Sequence, residues 1–388
     1  MQNIIVVSNV ADNPFAEDIA HAVNQDEDYS DLISLKDFLN TEFCPRFILD
    51  EEERERTGNK LENRTVLIVS TSMGLFTRQD LAMRNCLIAR AAKDNGAARV
   101  ILLEPDLYYS AQDRGPRVEH GLTSFERDPE DYRKFDGQPF SARLYADLLK
   151  ESGVDEVVTV HNHSASVRAI FMDRFSGRFH NLLPADVYAS YLRDSDIVAR
   201  ERLALSAPDK GAIAFCEDVQ REIGEPHVPL VVMCKERRGE REVKLEVSES
   251  SEVGPDALAG RHVALIDDMT RTGVTVAECC RLLKRLGAER VVVFVTHFYS
   301  SREIRGNLSD PAVTEIVTTN TIPQILNRDM QGRLRKQIVV LKVERWVASF
   351  MRRLLGADEP LSGPLYAEDM SSKNPRWHGT MGPLFSSR

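Results

Sequence analysis

One segment, from Val263 to Leu286, constrains the fold of this chain most strongly. It opens with four apolar residues, Val263–Ile266, a pattern typical of a strand that is buried on both faces of a sheet. Two acids, Asp267 and Asp268, follow this strand, and a loop rich in hydroxyl groups then leads into residues with helical spacing. A buried strand that runs through a short polar loop into a helix is the repeating unit of α/β proteins.

The loop after the two acids has the composition of a phosphate-binding site. The first main-chain N–H groups of a helix have no partner inside the helix, and the positive end of the helix dipole lies at the same place. Two carboxylates beside such a loop suit the hydroxyl groups of a sugar or a Mg²⁺ ion. The segment therefore predicts a pocket for a phosphorylated sugar, with contacts from Asp267, Asp268, Thr270, Arg271, Thr272, Gly273 and Thr275. The alternative is a strand–loop–helix unit without a ligand, in which an Asp only caps the helix.

The same alternation of apolar runs and helical stretches extends over most of the chain. Runs such as Ile4–Ser8 and Val66–Val69 recur in the first part, and Arg290–Thr296 is typical of those in the second. This pattern predicts an α/β protein with two similar domains, each a mostly parallel sheet flanked by helices. We place a first domain at residues 1–163, a second domain at 164–345, and a C-terminal helix with an irregular tail at 346–388.

Composition and charge limit the classes of partner and the cellular compartment that we expect for this chain. The net charge of -10 argues against broad binding of nucleic acid through a basic face. No apolar run approaches the roughly 20 residues of a membrane span, and the first residues lack the basic region of a signal peptide. None of the six cysteines forms a Cys-x-x-Cys pair, so neither a zinc site nor a disulfide scaffold is indicated. We therefore expect a cytoplasmic protein without nucleic-acid or membrane partners.

Four further segments carry residues that could do chemistry, and each has a plain alternative. His161-Asn162-His163 follows an apolar run and has the spacing of two metal ligands on one strand face, although an isolated His is more often only a satisfied polar residue. Asp209 precedes Gly211 and a helix, where it would bind a sugar hydroxyl or Mg²⁺, or cap the helix. Lys235–Arg241 carries four positive charges, which suit a flap over polyphosphate or a solvated loop. Gln112–Arg114 is polar and fits either the rim of a nucleotide-binding site or an ordinary loop.

Taken in order, these segments resemble the ribose-phosphate pyrophosphokinase family, which has the phosphoribosyltransferase fold. The loop at residues 267–275 is similar to the family's sugar-phosphate loop, in which two acids and two further residues precede Asp-Thr-Gly-Gly-Thr. Here Arg271 stands at the position of that Asp, and Val274 replaces the second Gly. Thr321-Ile322-Pro323 resembles another landmark of the family, and the resemblance runs from about Ile4 to about Leu355.

The resemblance also implies roles for individual residues. His163 falls on the family's catalytic-site His, which helps to hold Mg-ATP, and Asp209 falls on the carboxylate that holds the ribose and its metal. Lys235, Arg237 and Arg238 resemble the basic residues of the flexible catalytic loop. Gln112-Asp113-Arg114 is similar to the ATP-phosphate segment. In the family a dimer partner supplies adenine contacts, for which the nearest candidates are Phe47, Asp50 and Glu52.

Several departures from the family pattern bear on activity. Ala111 stands where many members have an Arg toward the ATP phosphates, and Arg114 and Arg117 are the nearest replacements. His161 replaces a usual Asp, and residues 115–138 form an insertion beside the ATP segment.

The function implied by the resemblance is the Mg²⁺-dependent transfer of diphosphate from ATP to the C1 hydroxyl of ribose 5-phosphate, which gives phosphoribosyl diphosphate (PRPP) and AMP. ATP and ribose 5-phosphate would lie between two facing domains of a homo-oligomer built from dimers. Two alternatives remain: a catalytically weak regulatory subunit, which the departures favour, and a phosphoribosyltransferase, which would normally need only one such domain.

Overall fold

The computed structural model describes residues 3–23, 28–48, 58–72, 76–123, 126–162, 164–195, 200–224, 227–237, 243–357 and 361–369. The strands are β1 Ile4–Ser8, β2 Ile33–Asp37, β3 Phe43–Phe47, β4 Thr65–Val69, β5 Arg99–Leu103, β6 Glu156–Val160, β7 Phe179–Leu182, β8 Leu203–Ala207, β9 Leu230–Arg237, β10 Val243–Val247, β11 His262–Thr270, β12 Arg290–Phe298, β13 Glu315–Thr319, β14 Ile338–Lys342 and β15 Ala367–Glu368. The helices are α1 Pro14–Ala22, α2 Tyr29–Leu32, α3 Arg78–Asp94, α4 Pro129–Lys134, α5 Ser141–Ser152, α6 Ala165–Arg174, α7 Ala185–Asp194, α8 Ile213–Ile223, α9 Val274–Arg285, α10 Arg302–Asn307, α11 Arg328–Gln331 and α12 Glu344–Leu354. Within these described residues, every helix is too short or too polar to cross a membrane.

The chain divides into two compact units. Unit 1 contains the described residues of Met1–Leu182 and Glu344–Gly363, and unit 2 contains those of Leu183–Val343 and Pro364–Arg388. The predicted α/β class with two domains of mostly parallel sheet is confirmed.

Unit 1 is built on a parallel sheet with the strand order β1-β4-β5-β6-β7. The four apolar residues Val66–Val69 of β4 are fully buried, as expected for an inner strand of a parallel sheet that helices cover on both faces. Helix α3 begins at a capping box, in which Thr77 and Asp80 satisfy each other's free main-chain N–H groups. Strands β2 and β3 form a separate antiparallel hairpin, which the sequence did not predict within its charged region.

Unit 2 has a larger sheet with the order β10-β9-β8-β11-β12-β13-β14-β15. Its inner strands are parallel, whereas β10 and β15 add to the two edges in the antiparallel direction. Strand β11 lies in the middle, between β8 and β12, and its residues Val263–Ile266 are fully buried. The feature that dominates the sequence is therefore a central strand of this sheet.

The unit boundaries differ from the predicted domain boundaries in two places. Residues 164–182 complete unit 1, because β7 pairs in parallel with β6 and Phe179 packs in the same core. Helix α12 also belongs to unit 1, where the guanidinium of Arg352 donates to the carbonyl oxygen of Ala22 over 3.1 Å. Within the predicted tail, Ala367–Glu368 pairs with β14, and residues 370–388 lie outside the described residues.

Candidate active site

The acid pair Asp267–Asp268 lies inside strand β11 and not after it. The strand continues to Thr270 because β12 continues to pair with it, with Asp267 opposite Val295 and Met269 opposite His297. The main-chain N–H of Asp268 donates to Oδ1 of Asp267 over 3.0 Å. Both acids are half-buried, so the strand holds two carboxylates at the edge of the core.

Negative charge accumulates at this end of the sheet. Burial raises the pKa of Asp267 well above its ordinary value, and the charges of Asp268 and Asp209 raise it further. Burial raises the pKa of Tyr188, and the nearby charges of Asp268 and Asp267 raise it further. Asp209 and the acid pair are almost 60 residues apart in the chain, yet they share one electrostatic environment. Such a site is stabilised by a cation or by a ligand that donates hydrogen bonds.

The loop between the acids and helix α9 has the geometry that a phosphate group needs. Gly273 precedes the helix in the left-handed conformation, with a φ of 77°, and the hydroxyl oxygen of Thr272 accepts from the N–H of Val274, the first helical residue, over 3.4 Å. The side-chain amide of Asn307 donates to the carbonyl oxygen of Thr272 over 2.8 Å and holds the loop. Arg271 and Thr272 are exposed, whereas Thr270 is buried. The N-terminus of α9 thus follows a loop whose backbone is held by Asn307.

Asp209 caps the helix that follows it, which is the alternative to ligand binding that the sequence indicated. Its side chain accepts a hydrogen bond of 2.8 Å from the main-chain N–H of Gly211 and begins the 3₁₀ helix Lys210–Ala212. Because Asp209 is exposed and its charge reaches Asp267, the cap leaves it available to a ligand at the same edge.

The sequence did not single out a cluster of hydroxyl groups at the ends of β12 and β13. The Tyr188 hydroxyl lies 2.9 Å from Oγ1 of Thr296, and Nδ1 of His297 lies 3.0 Å from Oγ1 of Thr321. Thr321 belongs to the Thr-Ile-Pro landmark, and its hydroxyl also donates to the carbonyl oxygen of Thr296. The signal for this cluster was a polar ending on two neighbouring apolar strands.

Lys235 and Arg237 lie on a strand and not in a loop. Strand β9 extends to Arg237 because β10 pairs with it in the antiparallel direction, with Lys235 opposite Leu245. The side chains of Lys235 and Arg237, and all of Arg238, lie outside the described residues. Their predicted role as a flap stays a prediction.

In unit 1 the predicted ATP segment, Gln112–Arg114, is held by several partners. The carbonyl oxygen of Gln112 accepts from the N–H of Ala142 over 3.2 Å, at the start of α5. The guanidinium of Arg114 lies 3.0 Å from Oδ1 of Asp131 and 3.5 Å from Oδ1 of Asp113. Arg114 is thus already paired with two carboxylates, which weakens it as a replacement for an Arg at position 111.

The other residues predicted to contact ATP or Mg²⁺ in unit 1 lie either in the core or outside the described residues. Phe47 is only 3% exposed and packs into the core of unit 1, which argues against the predicted contact of its side chain with ATP. An aromatic residue beside a charged run has the same sequence pattern whether its strand faces the core or the solvent. Asp50, Glu52 and His163 lie outside the described residues. His161 is buried and has a positive φ of 44°, a conformation that is uncommon for a non-glycine residue.

No group of three His, Cys, Asp or Glu side chains within the described ranges converges as a metal-binding cluster. Asp209, Asp267 and Asp268 nevertheless supply hard oxygen donors in one negatively charged environment. This arrangement suits Mg²⁺, which usually takes only one or two carboxylates and completes its shell with water and substrate phosphates.

Comparison with known proteins agrees with this geometry. The family model of the phosphoribosyl transferase domain matches residues 185–324, which include β8, β11 and the loop before α9. A ribose-phosphate pyrophosphokinase of Corynebacterium efficiens is 29% identical over 242 residues, which cover 62% of this chain and 65% of the relative. The enzyme of the same name from Mycobacterium tuberculosis strain H37Rv is 29% identical over 270 residues, or 70% of this chain and 72% of the relative. The predicted resemblance to the ribose-phosphate pyrophosphokinases is confirmed.

A solved structure extends the likeness to both units. The phosphoribosylpyrophosphate synthetase of Mycobacterium smegmatis covers 91% of this chain and 99% of its own, with a TM-score of 0.68 and 23% identity. At this identity the match supports the fold. The alignment with the Corynebacterium relative spans slightly less than two thirds of that protein's length.

Proposed function

We propose that this chain synthesises PRPP by transferring the diphosphoryl group of ATP to the C1 hydroxyl of ribose 5-phosphate, with release of AMP. The observation that carries the proposal is the position of Asp267 and Asp268 near the end of β11, one short loop before the N-terminus of α9. This combination offers acceptors for sugar hydroxyls and donors for a phosphate within one loop. The names of the relatives agree with this class of reaction.

The bond changes follow from the chemistry of diphosphoryl transfer. The C1 oxygen of the sugar attacks the β-phosphorus of ATP, the bond from that phosphorus to the oxygen shared with the α-phosphate breaks, and AMP leaves with that oxygen. The attacking hydroxyl loses its proton in the same process. Such a transfer depends mainly on positioning and on charge stabilisation, so the protein needs no covalent intermediate.

Each proposed contact has a separate task. Asp267 and Asp268 accept hydrogen bonds from the ribose hydroxyls and so fix the direction of the C1 oxygen. The loop from Thr270 to Thr275 binds the 5-phosphate through main-chain N–H groups and hydroxyls. Lys235 and Arg237 offset the charge of the diphosphoryl group during transfer.

We propose Gln112, Asp113 and Arg114 as contacts to ATP, together with Asp50 and Glu52, and His163 with Asp209 as ligands of Mg²⁺. The donor chemistry at Asp209 fits the ion, as described above. Bound Mg²⁺ would supply positive charge to the phosphate oxygens. We further propose that the protein is cytoplasmic and forms a homo-oligomer built from dimers.

One observation favours a second candidate, a catalytically weak regulatory subunit. The guanidinium of Arg114 is paired with Asp113 and Asp131, and position 111 is Ala, so the ATP segment offers less free positive charge than the family pattern. Such a subunit would bind substrates without appreciable turnover.

A single assay separates these functions. The purified chain is mixed with Mg-ATP and ribose 5-phosphate, and AMP and PRPP are measured together, with ribose and other pentose phosphates as parallel acceptors. Equal amounts of AMP and PRPP support the proposal, whereas neither product together with measurable nucleotide binding supports the regulatory subunit. Release of diphosphate only from added PRPP and a nucleobase would indicate a phosphoribosyltransferase.

A variant pair ties the result to the site. At ribose 5-phosphate concentrations below the Michaelis constant, Asp268→Asn should lower product formation by up to about tenfold, whereas Asp256→Asn, which changes an exposed acid of the same unit, should leave it intact. Equal activity of the two variants would refute the assignment of the sugar to this loop.

A further inference from the structure

The insertion at residues 115–138 folds back onto the proposed ATP segment. Its described residues form a tight loop, in which the N–H of Gly115 donates to the carbonyl oxygen of His120 over 3.1 Å, and the short helix α4. Asp128 caps α4 by accepting from the N–H of Asp131 over 2.7 Å. Residues 115–123 and 126–138 of the insertion therefore have a defined structure next to Gln112–Arg114.

Arg127 is the residue that holds this structure together. Its side chain is only 4% exposed, and its guanidinium donates to the carbonyl oxygens of Gly115 and His120 over 2.8 and 3.0 Å. Its Nε donates to Oδ2 of Asp131 over 2.6 Å, and the group lies 4.2 Å from the ring centre of Tyr132. A buried guanidinium that serves several fixed acceptors cannot be removed without leaving them unpaired.

Asp131 connects Arg127 to the ATP segment through a second hydrogen bond. Its side chain is 10% exposed, and its other oxygen, Oδ1, accepts from the guanidinium of Arg114 over 3.0 Å. Charge-assisted hydrogen bonds thus connect Arg127 through Asp131 to Arg114. Such bonds are stronger and more directional than neutral ones. It links the insertion to the last residue of the ATP segment.

The backbone of the insertion also contacts the segment directly. A Cβ atom at Gly121 would lie 2.5 Å from the carbonyl oxygen of Asp113, and Gly121 has a φ of 103°, which favours glycine. Elsewhere, the hydroxyls of Ser164 and Ser166 donate to Oδ2 and to the carbonyl oxygen of Asp113 over 2.5 and 2.8 Å. Asp113 is therefore held both by the insertion and by the residues that follow His163.

We propose that residues 115–138 act as an internal brace that fixes Gln112–Arg114 in the conformation that binds the phosphates of ATP, and that Arg127 is its positioning residue. The effect on nucleotide affinity rests on the proposed function. The restraint itself rests only on the contacts of Arg127, Asp131 and Gly121. A residue of this kind acts through the segment it positions and does not touch the reacting atoms.

The test compares Arg127→Gln with Arg133→Gln, a control at an exposed arginine of α4 in the same insertion. Amide hydrogen exchange is measured for residues 110–123 of the free full-length protein. The Michaelis constants for Mg-ATP and ribose 5-phosphate are measured in parallel. For Arg127→Gln we expect faster exchange and an increase of about tenfold or more in the constant for Mg-ATP, with that for ribose 5-phosphate within about twofold of the wild type. Arg133→Gln should match the wild type in all three measurements.

Two further variants keep the test decisive. Asp131→Asn removes the link to Arg114 with little change of shape and should have the same effects, also where Arg127→Gln fails to fold. Arg127→Lys keeps the charge but loses the forked donor geometry, so it should not restore affinity for Mg-ATP. Full rescue by Lys would overturn the positioning role of the guanidinium.

The outcomes separate the brace from the proposed function. Unchanged exchange at residues 110–123 in Arg127→Gln and Asp131→Asn overturns the brace, whatever the enzyme does. Faster exchange with an unchanged affinity for Mg-ATP, measured by calorimetry where turnover is absent, overturns its link to nucleotide binding. A wild-type chain that makes no AMP contradicts the proposed function, and the exchange comparison and the calorimetry still decide the inference.

Discussion

The fully buried carboxyl group of Glu104 should make the stability of unit 1 depend on pH. Glu104 follows β5 and accepts hydrogen bonds from the Tyr145 hydroxyl over 2.7 Å, from the side-chain amide of Asn85 over 2.8 Å and from the N–H of Tyr108. These donors favour the ionised form, but the loss of solvent outweighs them and raises the pKa of Glu104 to about 8. The folded chain therefore keeps a proton on this carboxyl at neutral pH.

The sign and size of the effect follow from the two pKa values. In the unfolded chain Glu104 ionises near its ordinary value of 4.5, so between pH 4.5 and 8 the folded state binds the proton more strongly. The free energy of unfolding must then fall as the pH rises through this window and level off above it. One pKa unit corresponds to about 1.4 kcal/mol, so the change between pH 5 and pH 8 is about 3.5 kcal/mol.

Glu104→Gln removes this dependence because an amide does not titrate. Relative to the wild type, the variant should gain about 3.5 kcal/mol of stability between pH 5 and pH 8. Urea unfolding at a series of pH values can be followed by the fluorescence of Trp346 on α12 in unit 1, in a Trp377→Phe background that leaves a single tryptophan. The control is Asp80→Asn, an exposed acid whose pKa is lowered by its bonds to Thr77.

The control should show a stability difference that is constant above about pH 5, because Asp80 is ionised in both states there. A constant difference for Glu104→Gln across the same range would refute the reasoning. It would mean that the three hydrogen-bond donors outweigh burial and keep the carboxylate ionised in the folded protein.

Three further predictions concern unit 2. Lys235→Ala should lower turnover by about 10²-fold or more while the circular dichroism spectrum stays unchanged, and unaltered turnover would refute the flap role. Asp268→Ala should raise the Michaelis constant for ribose 5-phosphate by about tenfold, and an unchanged constant would remove Asp268 from the ribose site. Gly273→Ala adds a Cβ 3.2 Å from Cγ of Leu308 at a φ of 77°, so it should destabilise the unit by about 1–2 kcal/mol. The exposed neighbour Val274→Ala should melt within a degree or two of the wild type.

The sequence predicted the inner strands well because burial on both faces leaves an uninterrupted apolar run. The apolar run Ile4–Ser8 coincides with β1, and the run Val263–Ile266 is the fully buried part of β11. The strands that it missed lie at edges or in the hairpin, such as Phe43–Phe47, which mixes proline and charge with aromatics. Such strands are stabilised by pairing with a distant partner, which a local pattern does not contain.

Part of the candidate site was also visible in the sequence. Acids that end buried parallel strands are expected to meet at one edge of a sheet, and the charges of Asp268 and Asp209 do act on Asp267. The hydroxyl cluster around Thr296 was missed because single threonines at strand ends are too common to stand out. The burial of Phe47 was not predictable from the sequence, because the face of a short strand depends on which residues pair with it.

The insertion shows most clearly where sequence reasoning stops. Arg127 and Arg133 lie six residues apart in the same polar stretch, and nothing in the local pattern distinguishes them. In the structure the first is buried among main-chain carbonyls and Asp131, whereas the second is exposed. Composition alone indicates a solvated loop for both, because charges usually lie in water. An arginine is buried only where enough fixed acceptors surround its guanidinium to replace the hydrogen bonds it makes with water. Those acceptors come from residues 115–120, whose conformation is itself held by the guanidinium, so the loop and its arginine must order together.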